Sequence, residues 1–363
     1  FNYFYYLIFV PMEITEQETA LISFLEFRYK ILKKIGEGAF STVFLVEDIL
    51  EKEYNKNLYV VKAITRTTAP NRIIEELKFL KELEGKNNVI PILGCHRMED
   101  QVCAIFPYFE GIDFREFLRN VKLEEIKDYI YNLLLALKHC HAHKIIHRDI
   151  KPSNFLYNPS LKKGLLIDFG LAQREKEEKR REIIFEDKSN IKTPSLLFFN
   201  SSISRIVPPP GYYIEDGRPQ MKAHRAGTRG YRAPEVLFRS LRQSCKIDIW
   251  SAGVIFLILC TKQYPFFNSI DELDGLGEIA TIFGHEAMRK VAKYYERIYK
   301  SNLTTVPNDS IPFERIITSL NPELNLCEDG YDLLYKMLEL NGDKRISAEE
   351  ALDHPFFINY KIM

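Results

Sequence analysis

The sequence predicts an α+β protein with two lobes, a small β-rich lobe followed by a larger helical lobe. Leu58–Ile64 is a short run dominated by residues that favour strands. Apolar residues then recur at helical spacing through residues 71–83, and a long apolar helix begins at Asp248. The 363 residues could form two domains, but recognisable motifs extend from one end of the chain to the other. We therefore expect one bilobal unit with an apolar core in each lobe.

A glycine-rich segment near the beginning of the chain predicts a loop that covers phosphate groups. Glycine lets a backbone approach phosphates closely and adopt angles that other residues resist. The candidate residues of this loop are Ile35, Gly36, Glu37, Gly38, Ala39, Phe40, Ser41, Thr42 and Val43. Ser41 stands where the pattern Gly-x-Gly-x-x-Gly has its third glycine. A lone Gly-x-Gly also marks ordinary turns, so the assignment depends on the residues that follow.

Lys62 is the candidate lysine for binding those phosphates. It lies near the end of the predicted strand, from where its ammonium could reach the α- and β-phosphates of a nucleotide. Such a lysine needs an acidic partner, and the predicted helix Asn71–Leu83 offers two adjacent glutamates. Glu76, four residues before Leu80, has the better register, and Glu75 is the alternative.

Two motifs in the middle of the chain carry the chemistry. In the run from His147 to Asn154, Asp149 can serve as a base-like carboxylate beside an acceptor hydroxyl. Asn154 and the aspartate of Asp168-Phe-Gly170 can supply oxygen ligands to Mg²⁺. This order and spacing are typical of the catalytic loop of protein kinases, followed by its metal-binding motif. The sequence therefore predicts phosphoryl transfer from ATP, with Mg²⁺ as cofactor.

Resemblance to protein kinases assigns further residues around these motifs. Phe106 occupies the position that gates the adenine pocket, and the hinge 107–111, which includes Tyr108, follows it. Lys151, two residues after Asp149, is the choice of serine/threonine kinases. Thr228 is expected to bond with both of these catalytic-loop residues, which makes it a further catalytic candidate.

The same resemblance assigns structural residues in the large lobe. Residues 227–235 close the activation segment, the part of the chain that follows the metal-binding motif. Asp248 is expected to anchor the catalytic loop from the apolar helix that it begins. Arg345 is expected to pair with Glu235 beneath the substrate-binding surface.

Several stretches resemble one kinase family, the cell-division-cycle seven kinases. They are Lys151–Asn158, Leu161–Gly164, Ile167–Gln173 and His224–Thr228, with Phe106–Glu110, Ala252–Phe256 and Tyr264–Phe266 in support. The resemblance covers most of the chain and implies the catalytic subunit of the DDK-type kinase that fires replication origins. It further implies phosphorylation of the MCM helicase in the nucleus during the initiation of DNA replication, under cell-cycle control. An activator subunit of the Dbf-four type is the partner that it implies.

Some positions depart from that family. Arg229 replaces the proline usual after Thr228, which is closer to cyclin-dependent and mitogen-activated kinases, and Val60 replaces the small alanine above the adenine. A casein-kinase-like or cyclin-dependent-like kinase with other substrates is therefore one alternative. A pseudokinase scaffold is another, but it is disfavoured by the intact set of Lys62, Glu76, Asp149, Asn154 and Asp168.

Two arginines predict the choice of substrate. Arg229 and Arg232 flank Tyr231 in the segment expected to face the residue just after the phosphorylated serine or threonine. Guanidiniums there would favour an acidic or phosphorylated neighbour, because charge-assisted hydrogen bonds to carboxylate or phosphate are strong and directional. The alternative is that Arg232 makes structural contacts.

Composition narrows the possible partners. The chain has 50 basic and 50 acidic side chains, so no excess of positive charge predicts direct nucleic-acid binding. Its six cysteines include no Cys-x-x-Cys, as expected for reduced thiols in an intracellular compartment. His139, His141 and His143 could suggest a metal site, but the position of His141 before the catalytic loop favours a structural role.

The predicted boundaries follow from the motifs. Residues 1–26 form an N-terminal extension, residues 27–357 the kinase domain and residues 358–363 a C-terminal tail. Within the domain we assign the small lobe to 27–106, the hinge to 107–111 and the large lobe to 112–357, with an insert at 174–223. The insert is either a disordered loop or a docking element for a regulatory subunit. Phe1–Val10 is apolar but too short to span a bilayer, so we expect no membrane association. The chain begins without methionine, which favours an upstream extension or a start-site artefact over an anchor.

Overall fold

The computed structural model describes residues 22–38, 41–50, 58–65, 68–175 and 226–360. Ala39 and Phe40 of the predicted phosphate loop lie outside these ranges, as do most of the N-terminal extension and most of the insert. The described residues form a small lobe built on one sheet and a larger lobe built on helices, which confirms the predicted α+β class.

The small lobe contains a five-stranded antiparallel sheet. Its strands are β1 (Tyr29–Gly38), β2 (Ser41–Asp48), β3 (Leu58–Ile64), β4 (Gly94–Met98) and β5 (Gln101–Pro107), in the spatial order β1-β2-β3-β5-β4. Its apolar face includes Phe44, Val61 and Ile105. Ile22 and Leu25, from a 3₁₀ turn at Ser23–Leu25, complete this core. The chain immediately before β1 therefore belongs to the packing of the small lobe.

Helix α1 (Pro70–Leu83) lies in the small lobe, where the apolar periodicity predicted it. Pro70 occupies the first turn, where its missing N–H has no intrahelical partner to lose. The helix ends at Glu84, whose backbone is left-handed with φ of 52°. Its inner face, with Phe79, Leu80 and Leu83, packs in the large core that continues into the other lobe.

The large lobe is mainly helical. Its helices are α2 (Phe114–Asn120), α3 (Leu123–Ala142), α4 (Pro234–Leu237), α5 (Lys246–Thr261), α6 (Glu272–Tyr294), α7 (Phe313–Leu320), α8 (Glu328–Met337) and α9 (Ala348–Leu352). Four short strands lie nearest the small lobe: β6 (Ile145–Ile146), β7 (Phe155–Asn158), β8 (Lys163–Leu166) and β9 (Gln173–Arg174). Strand β6 pairs with β9, and β7 pairs with β8. The catalytic loop joins β6 to β7, and the Asp-Phe-Gly motif joins β8 to β9.

Helix α5 forms the centre of the large lobe. All of its residues from Ile247 to Thr261 are buried, as expected for a helix without a polar face. Gly253 permits close packing, since a Cβ there would lie 2.9 Å from the Leu338 side chain. No helix among the described residues is both long and apolar enough to cross a membrane.

Candidate active site

Lys62 joins the two lobes at the centre of the site. Its Nζ lies 2.7 Å from Glu76 Oε1 on α1 and 2.9 Å from Asp168 Oδ1 in the Asp-Phe-Gly motif. Glu76 is 8% exposed, whereas the adjacent Glu75 is on the exposed face of the same helix. The structure therefore pairs Lys62 with Glu76. The alternative partner, Glu75, lies on the exposed face of the helix instead.

The electrostatics keep this cluster charged. Burial disfavours the ammonium of Lys62, but the charges of Glu76 and Asp168 outweigh that effect and raise its pKa to about 12. Burial likewise opposes ionisation of Asp168, but the nearby Lys62 ammonium lowers the pKa of this carboxyl below its ordinary value. At neutral pH the Lys62 ammonium therefore lies between Glu76 of the small lobe and the ionised carboxylate of Asp168.

The backbone around the Asp-Phe-Gly motif fixes Asp168. This residue is left-handed with φ of 64°, a conformation uncommon outside glycine and concentrated at functional sites. The following Phe169 is 1% exposed and packs edge-on against His147, with ring centroids 4.8 Å apart. The buried phenyl ring anchors the motif, so the preceding carboxylate stays on the side of Lys62.

Asp248 holds the catalytic loop in place, as predicted. It is 1% exposed, and its carboxylate accepts hydrogen bonds from the backbone N–H groups of His147 and Arg148, both at 2.8 Å. Its Oδ2 also lies 3.0 Å from His141 Nε2. His141 is therefore bound to the anchor of the loop, which matches the structural role expected for it.

Asp149, the carboxylate of the catalytic loop, accepts hydrogen bonds on both of its oxygens. Its Oδ1 accepts from the Thr228 backbone N–H at 2.8 Å and from the Thr228 hydroxyl at 2.6 Å. Its Oδ2 accepts from Asn154 Nδ2 at 2.9 Å and lies 2.9 Å from Lys151 Nζ. Lys151 also donates to the Thr228 hydroxyl at 2.9 Å. The predicted contacts of Thr228 with both residues are confirmed.

These contacts set the charge of Asp149. Burial raises the pKa of this carboxyl, but hydrogen bonds from Thr228 and Lys151 outweigh burial and leave the pKa below its ordinary value. Gly227 makes the contact possible: it has φ of 114°, and a Cβ there would lie 2.6 Å from the carbonyl oxygen of Arg148. Only glycine lets the activation segment approach the loop so closely.

The predicted metal ligands offer the oxygen atoms that Mg²⁺ prefers. Asn154 Nδ2 donates hydrogen bonds to Asp149. The amide oxygen of Asn154 has no partner among the residues that the structure describes. Asp168 Oδ1 accepts hydrogen bonds from Lys62 Nζ and from the backbone N–H of Gly170, and Asp168 Oδ2 has no partner among the described residues. A carboxylate and an amide oxygen that are both available form a donor set that fits Mg²⁺.

The predicted phosphate loop is a β-hairpin. Gly36 pairs with Val43, Glu37 with Thr42, and Gly38 with Ser41. Ile35, Gly36, Glu37 and Gly38 end β1, and Ser41, Thr42 and Val43 begin β2. Seven of the nine candidates are thus at the tip of one hairpin, and Ala39 and Phe40 lie outside the described residues.

The hinge includes one backbone N–H, that of Phe109, that the sequence did not indicate as a candidate. Phe106 is 6% exposed at the end of β5, opposite Val60 on β3, and Tyr108 is 37% exposed. The Tyr108 backbone N–H donates to the Leu58 carbonyl at 3.2 Å, so it is not available to a nucleotide base. The N–H of Phe109 has no partner among the described residues. Hinge backbone groups carry no residue signature, so the sequence could not indicate this group, and the contact of Tyr108 with the nucleotide stays a prediction.

The activation segment rests on a buried ion pair. Glu235 accepts two hydrogen bonds from Arg345, at 2.7 and 3.0 Å, which confirms the predicted pair. Arg232 donates to the Gly227 carbonyl at 2.9 Å and to Glu272 at 3.2 Å, so this arginine makes structural contacts. These contacts support the structural alternative for Arg232, and contact of the exposed Arg229 with the substrate stays a prediction.

Comparison with known proteins gives a consistent result. The protein kinase domain family matches residues 29–195 and 212–357. "Probable cell division control protein 7 homolog 1" of Encephalitozoon cuniculi is 53% identical over 349 residues, which cover 96% of this chain and 97% of that protein. "Cell cycle serine/threonine-protein kinase hsk1" of Schizosaccharomyces pombe is 38% identical, over 92% of this chain and 73% of its own length. "Cell division cycle 7-related protein kinase" of Homo sapiens is 28% identical, over 91% and 89%.

Proposed function

This chain belongs to the protein kinase family, within the group of cell division control protein 7 kinases, and we propose how its residues perform the serine/threonine phosphotransfer of that group. The observation that carries the proposal is the position of Lys62 between Glu76 and Asp168. Lys62 holds the phosphates of ATP, and Glu76 keeps the lysine extended towards them. Both roles need the small lobe and the large lobe to be closed on each other, as they are here.

Asp149 orients the acceptor hydroxyl. Its lowered pKa keeps it ionised at neutral pH, so it accepts a hydrogen bond from the serine or threonine and turns the oxygen towards the phosphate. Lys151 and Thr228 fix the direction of the carboxylate. Alignment of the reacting oxygen supplies much of the catalysis in phosphoryl transfer, where there is little covalent chemistry for the protein to perform.

Asn154 and Asp168 are the residues that would hold Mg²⁺. When bound, Mg²⁺ neutralises charge on the phosphate oxygens during transfer. Asp168 contributes a carboxylate oxygen, and Asn154 contributes its amide oxygen while its Nδ2 remains bonded to Asp149. The hairpin of β1 and β2 covers the phosphates, and Phe106 bounds the adenine site at the end of β5.

The metal assignment can be tested by thermal unfolding. Mg²⁺ with a non-hydrolysable ATP analogue at 100 times its Kd should stabilise the wild-type chain by about 2.7 kcal/mol. Asp168→Asn and Asn154→Ala should lose the part that depends on Mg²⁺, because the first replaces a charged carboxylate ligand with a neutral amide and the second removes an amide oxygen ligand. Asp100→Asn, in an exposed turn between β4 and β5, is the matched control and should respond as the wild type does. Retention of the full Mg²⁺ effect by both site variants would refute the assignment.

The biological setting that we propose follows the resemblance to the origin-firing kinases. The substrate would be subunits of the MCM helicase, phosphorylated in the nucleus during initiation of DNA replication. An activator subunit of the Dbf-four type would complete the enzyme. The names of the relatives, which include a cell cycle kinase of Schizosaccharomyces pombe and a cell division cycle 7-related kinase of Homo sapiens, support a role in the cell cycle.

A further inference from the structure

Both ends of helix α1 are hydrogen-bonded to the Asp-Phe-Gly motif or to the residues just after it. Near its beginning, Arg72 Nη2 donates to the carbonyl oxygen of Gly170 at 3.2 Å. Near its end, the Glu82 carboxylate forms a two-bond ion pair with Arg174, at 2.6 and 2.9 Å. Glu76 lies between these contacts, one turn after Arg72 and under two turns before Glu82. The depth of Glu76 in the site thus depends on both.

Arg174 is itself held firmly. Its backbone pairs with Ile145 in the ladder of β6 and β9, and its Nη1 also donates to the carbonyl oxygen of His143 at 2.6 Å. Its guanidinium lies 5.4 Å from the centre of the Phe79 ring on α1. The hydrogen bond from Arg174 holds the pKa of the Glu82 carboxyl below its ordinary value. The large lobe therefore presents a fixed cation to the last turn of α1.

We propose that Arg174 and Glu82 are positioning residues, whose ion pair keeps α1 against the large lobe and thereby keeps Glu76 within hydrogen-bonding distance of Lys62. This proposal rests on the role assigned above to the Lys62–Glu76 pair. Arg174 is also the first residue of the insert predicted from the sequence, so a partner that displaces this residue would weaken the pair in the active site.

The expected effect is moderate. The side chains of Arg174 and Glu82 are 49% and 35% exposed, so water and salt screen part of their attraction. Two parallel hydrogen bonds make the geometry more specific than that of a simple surface pair. We expect Arg174→Gln or Glu82→Gln to lower kcat roughly threefold to fivefold. The loss reflects a smaller fraction of molecules with Glu76 in place.

A double-mutant cycle tests whether the two residues act together. The double variant should lose about as much kcat as Arg174→Gln alone, because the second change removes a partner that is already unpaired. Amide hydrogen exchange in residues 76–82 should be faster than in the wild type in Arg174→Gln, in Glu82→Gln and in the double variant. Glu75→Gln is the matched control, since Glu75 is exposed on the same helix and makes no hydrogen bond or ion pair with the described residues. It should retain wild-type kcat and exchange.

The outcomes separate this proposal from the function on which it rests. Unchanged kcat in both single variants, or losses that multiply in the double variant, would overturn the positioning role while leaving the active site as assigned. Glu76→Gln provides the other arm, with an expected loss larger than that of either single variant. If Glu76→Gln has no effect on kcat, the assigned role of the Lys62–Glu76 pair fails, and the positioning role fails with it.

Discussion

The buried ion pair of Arg345 with Glu235 in the large lobe is compensated by several hydrogen bonds. Arg345 is 1% exposed, and besides its two bonds to Glu235 it donates to the backbone carbonyls of Glu339 and Lys246. Glu235 also accepts from the Tyr295 hydroxyl at 3.2 Å. A pair with this many partners has no unpaired charge as long as both members are present.

Removal of one member should therefore be costly. We expect Glu235→Gln to lower the free energy of unfolding by about 3–5 kcal/mol, because it leaves the guanidinium of Arg345 without a counter-charge in the core. Urea denaturation measures the change. The matched control is Glu286→Gln, which breaks an exposed pair with Arg289 and should cost under about 1 kcal/mol. Equal decreases in the free energy of unfolding of the two variants would show that burial of the Glu235–Arg345 pair does not increase the cost of removing one partner.

Residue identities in the site were predictable where a motif fixes them. Asp149, Asn154 and Thr228 meet as expected, because short spacings within the catalytic loop and one glycine in the activation segment determine their positions. The pair of Glu82 with Arg174 was not predicted. Its members are 92 residues apart and belong to no motif, so only the folded chain brings them together.

At the scale of elements, the two arginines in residues 227–235, which close the activation segment, have different surroundings. Arg232 is bound to Gly227 and Glu272 and braces the segment against α6. Arg229, in the turn just after Thr228, is exposed. Since Thr228 contacts Asp149, we expect its neighbour Arg229 to reach the residue that follows the acceptor.

This division gives a prediction about substrate choice. Peptide arrays should show a preference for aspartate, glutamate or phosphoserine immediately after the acceptor. Arg229→Ala should weaken this preference by at most about 3 kcal/mol, the upper value for a hydrogen bond to a charged group. Lys262→Ala, which removes a cation at the end of α5, is the control and should leave the preference unchanged. A dominant preference for proline at that position would support the cyclin-dependent-like alternative instead.

The predicted elements were those with strong periodicity. Strand β3 and helices α1 and α5 lie where their patterns placed them. The sequence of residues 268–330 mixes helix-like patterns with polar turns and predicts no definite element, and the structure shows why. Helix α6 bends at Gly284, where φ is 78° and a Cβ would lie 2.4 Å from the carbonyl oxygen of Asn308. A contact between residues so distant in sequence leaves no local pattern.

At the scale of the whole molecule, two of the polar contacts between the lobes lie at the active site. The Lys62–Asp168 contact joins β3 to the Asp-Phe-Gly motif, and Arg72 joins α1 to the same motif at Gly170. The hinge 107–111 is the covalent connection. Closure of the lobes and assembly of the catalytic residues are therefore one event, and a partner that favours closure would raise activity.

The most direct test of phosphotransfer by this site is the kcat of the wild type and of Asp149→Asn. Both are assayed alone and with the partner that co-purifies stoichiometrically. We expect slow transfer to serine by the wild-type chain alone and a strong rise with the partner. Asp149→Asn should be roughly 10²- to 10⁴-fold slower in both settings, with thermal unfolding and nucleotide binding close to those of Asp100→Asn. Near-normal transfer by folded Asp149→Asn would contradict the assignment of this carboxylate as the group that orients the acceptor.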